Sequence, residues 1–165
     1  MKTAIYPGTF DPITNGHLDI LHKAVRIFDQ VILAVAEITG KKTFFTIQER
    51  EDLCRQATCN IDKIKVMSFT GLVVDFARQV NAITMIRGMR ATSDFEYELS
   101  LALMNEKLYS EIDTIFFIPD HKYLFLSSTM VKQVVPLGGD IGDLIPECVK
   151  KALILKLKKN DLEKK

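Results

Sequence analysis

The chain has 165 residues, 47% of them apolar and 26% charged, with a formal net charge of +1. That length carries one domain with a substantial core, and the near-zero charge removes the electrostatic case for a nucleic-acid or membrane-surface protein. No apolar run reaches membrane length, no charged-then-apolar leader opens the chain, and Cys54, Cys59 and Cys148 are odd in number without paired metal spacing, so a reduced, cytoplasmic protein with structural thiols is expected.

A strand over Thr3–Tyr6 runs into a Pro7-Gly8 turn, and a helix opens a few residues later with Thr14 as its N-cap. Leu18, Leu21, Val25 and Phe28 follow at helical spacing, which places His17 in the first turn, where backbone N–H groups and the helix dipole favour an anion. A second strand over Val31–Ala36 leads into a loop, Glu37–Lys42, that carries Lys41 and Lys42. Thr46 to Glu49 matches a capping box, and strands follow over Ile64–Phe69 and Ala82–Ile86. Past Ile86-Arg87-Gly88-Met89-Arg90, a second capping box, Ser93 to Glu96, opens a long helix with Phe95, Leu99, Ala102 and Leu103 on one stripe. The fifth strand is Thr114–Ile118. A helix beginning near Ser127 stops around Pro136 and Gly138-Gly139, and a last one after Pro146 enters a charged tail, about 156–165, expected to fray.

Strand–helix alternation predicts an α/β fold: a doubly wound, Rossmann-like five-stranded parallel sheet with helices on both faces, in one domain over 1–165. Runs of Val, Ile and Phe without polar alternation predict strands buried on both faces. In such sheets ligands bind beyond the carboxyl ends of the strands. Four segments fall there: the opening loop with Thr9, Phe10 and His17, the loop with Lys41 and Lys42, the Arg87–Arg90 run, and Tyr123 to Thr129. Their cations, imidazole and hydroxyls suit a triphosphate and a second phosphorylated substrate. The dinucleotide glycine fingerprint, the Walker A loop and a Gly-x-Ser-x-Gly elbow are absent from the sequence. Asp11 reads as a turn residue and Asp19 as a surface one, so no carboxylate pair is evident. That composition fits a transfer whose nucleophile is already an anion.

The run Tyr6-Pro7-Gly8-Thr9-Phe10-Asp11-Pro12-Ile13-Thr14-Asn15-Gly16-His17 resembles the opening signature of the phosphopantetheine adenylyltransferases, within the nucleotidylyltransferases that carry Thr or His, any residue, Gly and His in a row. Ile86 to Arg90 with Asp94-Phe95-Glu96-Tyr97-Glu98 resembles a second hallmark of that family, with Met89 in place of Leu, and Ser127 to Lys132 a third. The resemblance implies transfer of the adenylyl group of ATP to 4′-phosphopantetheine, giving dephospho-coenzyme A and pyrophosphate. It implies that Thr9, Lys41, Val73 and Arg87 hold 4′-phosphopantetheine. ATP would be held by Thr9, Phe10, His17, Gly88, Met89, Arg90, Glu98, Tyr123, Leu124, Phe125, Leu126, Ser127, Ser128 and Thr129, with His17, Lys41 and Thr9 catalytic. Mg²⁺ accompanying ATP, coenzyme A as a feedback ligand and a homohexamer are implied in the same way. The rival readings are adenylyl or cytidylyl transfer to nicotinamide mononucleotide or glycerol phosphate, against which the Arg87–Glu98 hallmark counts, and a non-catalytic nucleotide sensor, for which His17 and Lys41 would have no use.

Overall fold

The computed structural model describes residues 1–38, 40, 42–90 and 92–163, with the side chains of 92–94 and 160–163 outside the description. The elements in chain order are β1 (Thr3–Gly8), α1 (Asn15–Ala24), β2 (Gln30–Ala36), α2 (Ile47–Ala57), β3 (Ile64–Phe69), α3 (Val73–Gln79), β4 (Thr84–Gly88), α4 (Thr92–Leu108), β5 (Asp113–Phe117), α5 (Ser128–Val134) and α6 (Glu147–Glu163). All neighbouring strands pair in parallel, in the order β3-β2-β1-β4-β5, so the expected doubly wound sheet is present.

The two-residue period of the strands makes two cores. Ala4, Tyr6, Val31, Leu33, Val35 and Ile86 face one side and pack with Leu21, Leu53, Val131 and Val149, so α1, α2, α5 and α6 cover that face. Ile5, Ile32, Ala34 and Met85 point the other way, onto Phe76, Ala77 and Ile112. Burial on both faces holds for β1 and β2, but not for the edge strands. Lys65, Met67 and Ser68 of β3 are exposed, because an edge strand has helices over only part of its surface.

The sequence-based boundaries shift in informative places. β1 does not turn at Pro7; it continues to Gly8, paired with β2 as far as Gly8 opposite Val35. Its pairing with β4 covers only Ala4 opposite Thr84 and Ile5 opposite Met85. The sheet therefore opens between β1 and β4 just where its order reverses, and a proline without an N–H is tolerated there. β4 begins at Thr84 rather than Ala82, since the Ala82 N–H closes the turn after α3 on the Ala77 carbonyl. α4 begins at Thr92, one residue ahead of the Ser93 start read from sequence. Its stripe of Phe95, Leu99 and Leu103 faces outward, and Glu98, Leu101, Ala102 and Asn105 turn inward instead. α6 stays helical through Glu163, past the point where fraying was expected.

Candidate active site

At the mouth between β1 and β4 lies a cleft of about 360 Å³, lined by residues of the β1–α1 loop, β4, α4 and the segment leading into α5. The β1–α1 loop forms its floor. Phe10 adopts φ 47° with its ring buried against Gly8, where an added Cβ would lie 2.9 Å from the ring. A left-handed aromatic residue is strained and persists only where its surroundings hold it. The holding groups flank it: Arg50 of α2 takes the Thr9 carbonyl, and Asp11 takes the backbone N–H groups of Phe44 and Phe45, both at 2.8 Å.

His17 is fixed by the cap of its own helix. The Thr14 hydroxyl accepts from the His17 N–H at 3.4 Å, and the Thr14 N–H donates to His17 Nδ1 at 3.0 Å. A backbone N–H can only donate, so Nδ1 is assigned as acceptor and the ring proton sits on Nε2. Burial, with Arg90 and Arg87 nearby, lowers the imidazole pKa to about 4. His17 is thus a neutral donor through Nε2 at ordinary pH. The helix start is less open to an anion than sequence suggests. The Asn15 N–H is taken by the Leu144 carbonyl, and that of His17 by Thr14. The imidazole, rather than a ring of bare amides, is what this helix start presents.

Cations surround the cleft: Lys42, Arg87, Arg90 and Lys132 all line it. Arg87 pairs bidentately with Glu98, Nε to Oε2 and Nη2 to Oε1, each at 2.6 Å, and its Nη1 reaches the Pro7 carbonyl at 3.0 Å. This bridges the gap between β1 and β4 with a side chain where backbone pairing has ended. Arg90 Nη1 donates to the Leu126 carbonyl at 3.0 Å and so ties β4 to the segment before α5. Lys132 reaches Asp11 at 2.7 Å. Gly88 is needed for close packing, since a Cβ there would fall 2.5 Å from Ile20 Cδ1.

A second cavity of about 250 Å³ adjoins the first and shares Pro7, Gly8, Thr9, Arg87 and Glu98 with it. The rest of its lining is mostly apolar: Ala36, Phe69, Val73, Met85, Leu101 and Ala102, with Asn105 and Thr114. The structure thus brings Thr9, Phe10, His17, Gly88, Arg90, Glu98, Tyr123, Leu126, Ser127, Ser128 and Thr129 to the first cavity, and Val73, with Thr9 and Arg87, to the second. Met89, Leu124 and Phe125 line neither. Met89 extends the pairing with β5 through its N–H to the Phe117 carbonyl, while the Phe125 side chain is largely exposed. Lys41 lies outside the described residues, and its neighbour Lys42 lines the cleft.

Sequence reasoning missed several residues here. Asp11 stands in a turn as expected, but its carboxylate is also buried and joins three segments, and Asp19 holds Lys23 at 2.7 Å and the Asp120 N–H at 2.9 Å. Arg50 is 1% exposed, and a charged residue among Leu53, Cys54 and Ala57 on one helical stripe was the available signal. Cys54 is buried and its thiol pushed up to about 12, which fits the inert role expected of it.

The Cytidylyltransferase-like family matches residues 5–134. The phosphopantetheine adenylyltransferase of Moorella thermoacetica is 51% identical over 93% of this chain and 96% of its own, and that of Thermodesulfovibrio yellowstonii is 48% identical over 96% and 99%. The chain belongs to the phosphopantetheine adenylyltransferase family. A phosphopantetheine adenylyltransferase of Lawsonia intracellularis, 51% identical over 90% of this chain and 87% of its own, agrees. A solved structure from Vibrio parahaemolyticus, described as a candidate nicotinate-nucleotide adenylyltransferase, superposes with a TM-score of 0.71 over 95% of both chains at 17% identity, which supports the fold. Among the described residues no helix is long and apolar enough to cross a membrane, and no group of three or more His, Cys, Asp or Glu side chains could hold a metal ion.

Proposed function

We propose that this phosphopantetheine adenylyltransferase family member transfers the adenylyl group of ATP to 4′-phosphopantetheine, releasing dephospho-coenzyme A and pyrophosphate. The observation that carries this reading is the junction of the two cavities. One is polar and ringed by cations, the other apolar, and they meet at Thr9 and the Arg87–Glu98 pair. A triphosphate suits the first, and the uncharged arm of a phosphorylated acceptor suits the second, with its phosphate at the junction. The acceptor phosphate oxygen attacks the α-phosphorus in line, forming one P–O bond as the bond to the α,β-bridging oxygen breaks. That phosphate is already largely ionised near neutral pH, its second pKa being about 6, so no protein base is required.

Catalysis is then positioning plus stabilisation of charge on the transition state. His17 donates from Nε2 to the α-phosphoryl oxygens, and its neutrality preserves that proton. Thr9 and Lys41 assist there. Arg90 and the Ser127–Thr129 segment serve the leaving β- and γ-phosphates. Val73 and Arg87 serve 4′-phosphopantetheine, with Glu98 setting the guanidinium plane between the two sites. Mg²⁺ belongs to the substrate, entering on the ATP phosphates and offsetting their charge. The carboxylates nearest the cleft, Asp11 and Glu98, are already committed to Lys132 and Arg87. Coenzyme A as a feedback ligand, a homohexameric assembly, a cytoplasmic location and a single domain over 1–165 complete the reading. The free thiols of Cys54, Cys59 and Cys148 support the location.

The test is pyrophosphate release from ATP or CTP with 4′-phosphopantetheine, nicotinamide mononucleotide or glycerol phosphate as acceptor. Turnover confined to ATP with 4′-phosphopantetheine is expected. Preference for either other acceptor would overturn the assignment.

A further inference from the structure

Beneath the cleft a single guanidinium holds two strand ends together. Arg50, 1% exposed on α2, donates from Nη1 to the Thr9 carbonyl at 2.8 Å and to the Ala36 carbonyl at 2.7 Å, while its Nε has no partner. Ala36 closes β2 and lines the second cavity, and Thr9 lines both. A long apolar side chain at position 50 would complete the stripe of α2 but take this donor from the Thr9 and Ala36 carbonyls, so the cation serves the two strand ends rather than the packing of the stripe. The strained Phe10 supplies the reason. Its φ of 47° requires both flanks to be held, and Arg50 is the tie on the Thr9 side, opposite Asp11.

We propose that Arg50 is a positioning residue for adenylyl transfer, fixing the Thr9 peptide against the end of β2 so that Thr9 meets the reacting phosphates where the cavities join. This rests on the adenylyl-transfer reading, which wild-type turnover tests separately from the ratio of variant to wild type.

The experiment is steady-state kinetics of Arg50→Lys, Thr9→Ala and the double variant, each checked by thermal melting. Lysine keeps the charge, but its ammonium falls one bond short of Nη1. Arg50→Lys is expected to lower kcat roughly tenfold to a hundredfold, with each KM within about threefold, as for a misplaced transition-state contact. In the Thr9→Ala background the same change should alter kcat by less than about twofold, because the two residues act as one unit. An unchanged kcat, or an equal loss in both backgrounds, overturns the proposal. Should Arg50→Lys not fold, Arg50→Met takes its place in the same cycle. A wild type inactive with these substrates overturns the adenylyl-transfer reading and this role with it; if only the variants fail to fold, nuclear magnetic resonance of the wild-type guanidinium decides. Separate, slowly exchanging Arg50 Nη1 protons support the clamp, and rapid averaging removes it.

Discussion

His17 shows how a single residue gains its chemistry from its neighbours. Free in water it would be partly protonated near neutral pH; in the cap of α1, beside two arginines, it is a neutral donor with its proton on Nε2. His17→Ala is expected to lower turnover by about 3–4 kcal/mol of transition-state stabilisation, by analogy with deletion of one oxyanion donor, with the fold retained. Near-normal turnover would end the assigned role. The same shift makes a stability prediction. The folded pKa of about 4 lies below the ordinary imidazole value of 6.5, so between these pH values the unfolded chain binds a proton that the folded chain refuses. The contribution is complete above pH 6.5 and is lost as pH falls toward 4. Urea titrations at pH 7.5 and 4.5 should show the wild type losing about 2–3 kcal/mol more than His17→Gln. Parallel losses would mean that the imidazole is not held neutral.

At the scale of elements, the site depends on ties that cross between loops rather than on any one helix start. Asp11 gathers the β1–α1 loop, the Phe44–Phe45 segment and Lys132 of α5 through one buried carboxylate. Replacing it by the isosteric amide leaves Lys132 without its counter-charge and one backbone N–H without an acceptor. Asp11→Asn is therefore expected to cost about 3 kcal/mol of stability by urea unfolding, the range for breaking a buried pair. It should leave the shape of the pH–rate profile unchanged, because Asp11 takes no proton in the reaction. A stability loss under about 1 kcal/mol would show that the carboxylate is not the junction described.

Across the whole molecule, the reversal of strand order opens the sheet between β1 and β4, and both cavities descend from that opening. The outer side of α4 carries Phe95, Tyr97, Leu99, Leu103, Met104 and Leu108 in exposed positions, a concentration of apolar surface that a soluble monomer rarely leaves bare. This supports the proposed homohexamer, with α4 at a subunit contact. Leu103, 57% exposed, makes few contacts within its own chain. Leu103→Glu is expected to shift the sedimentation profile to smaller species without lowering the melting temperature of the isolated subunit. An unchanged profile would place the contact on another face.

The local features were legible in the sequence because they rest on nearest-neighbour physics. Thr14 and Thr46 cap helices as their spacing predicted, and the five apolar runs became the five parallel strands. The opening motif and the Arg87–Glu98 hallmark together pointed to the family. What the tertiary structure decided depends on partners distant in the chain. Pro7 could remain in a central strand only because β4 diverges from β1, and the stripe of α4 faces outward because its opposite side closes the second cavity. Asp11 read only as a turn residue and Asp19 as a surface one, and Arg50 carried no signal beyond its place on an apolar stripe, because a charged side chain is stable inside only when its counterpart is brought to it. Those counterparts, Phe44, Phe45 and Lys132 for Asp11, Lys23 and Asp120 for Asp19, and Thr9 and Ala36 for Arg50, arrive mostly from other elements. Periodicity registers which face of an element is apolar; it carries no record of which carbonyl or carboxylate the folded chain will deliver to a buried charge.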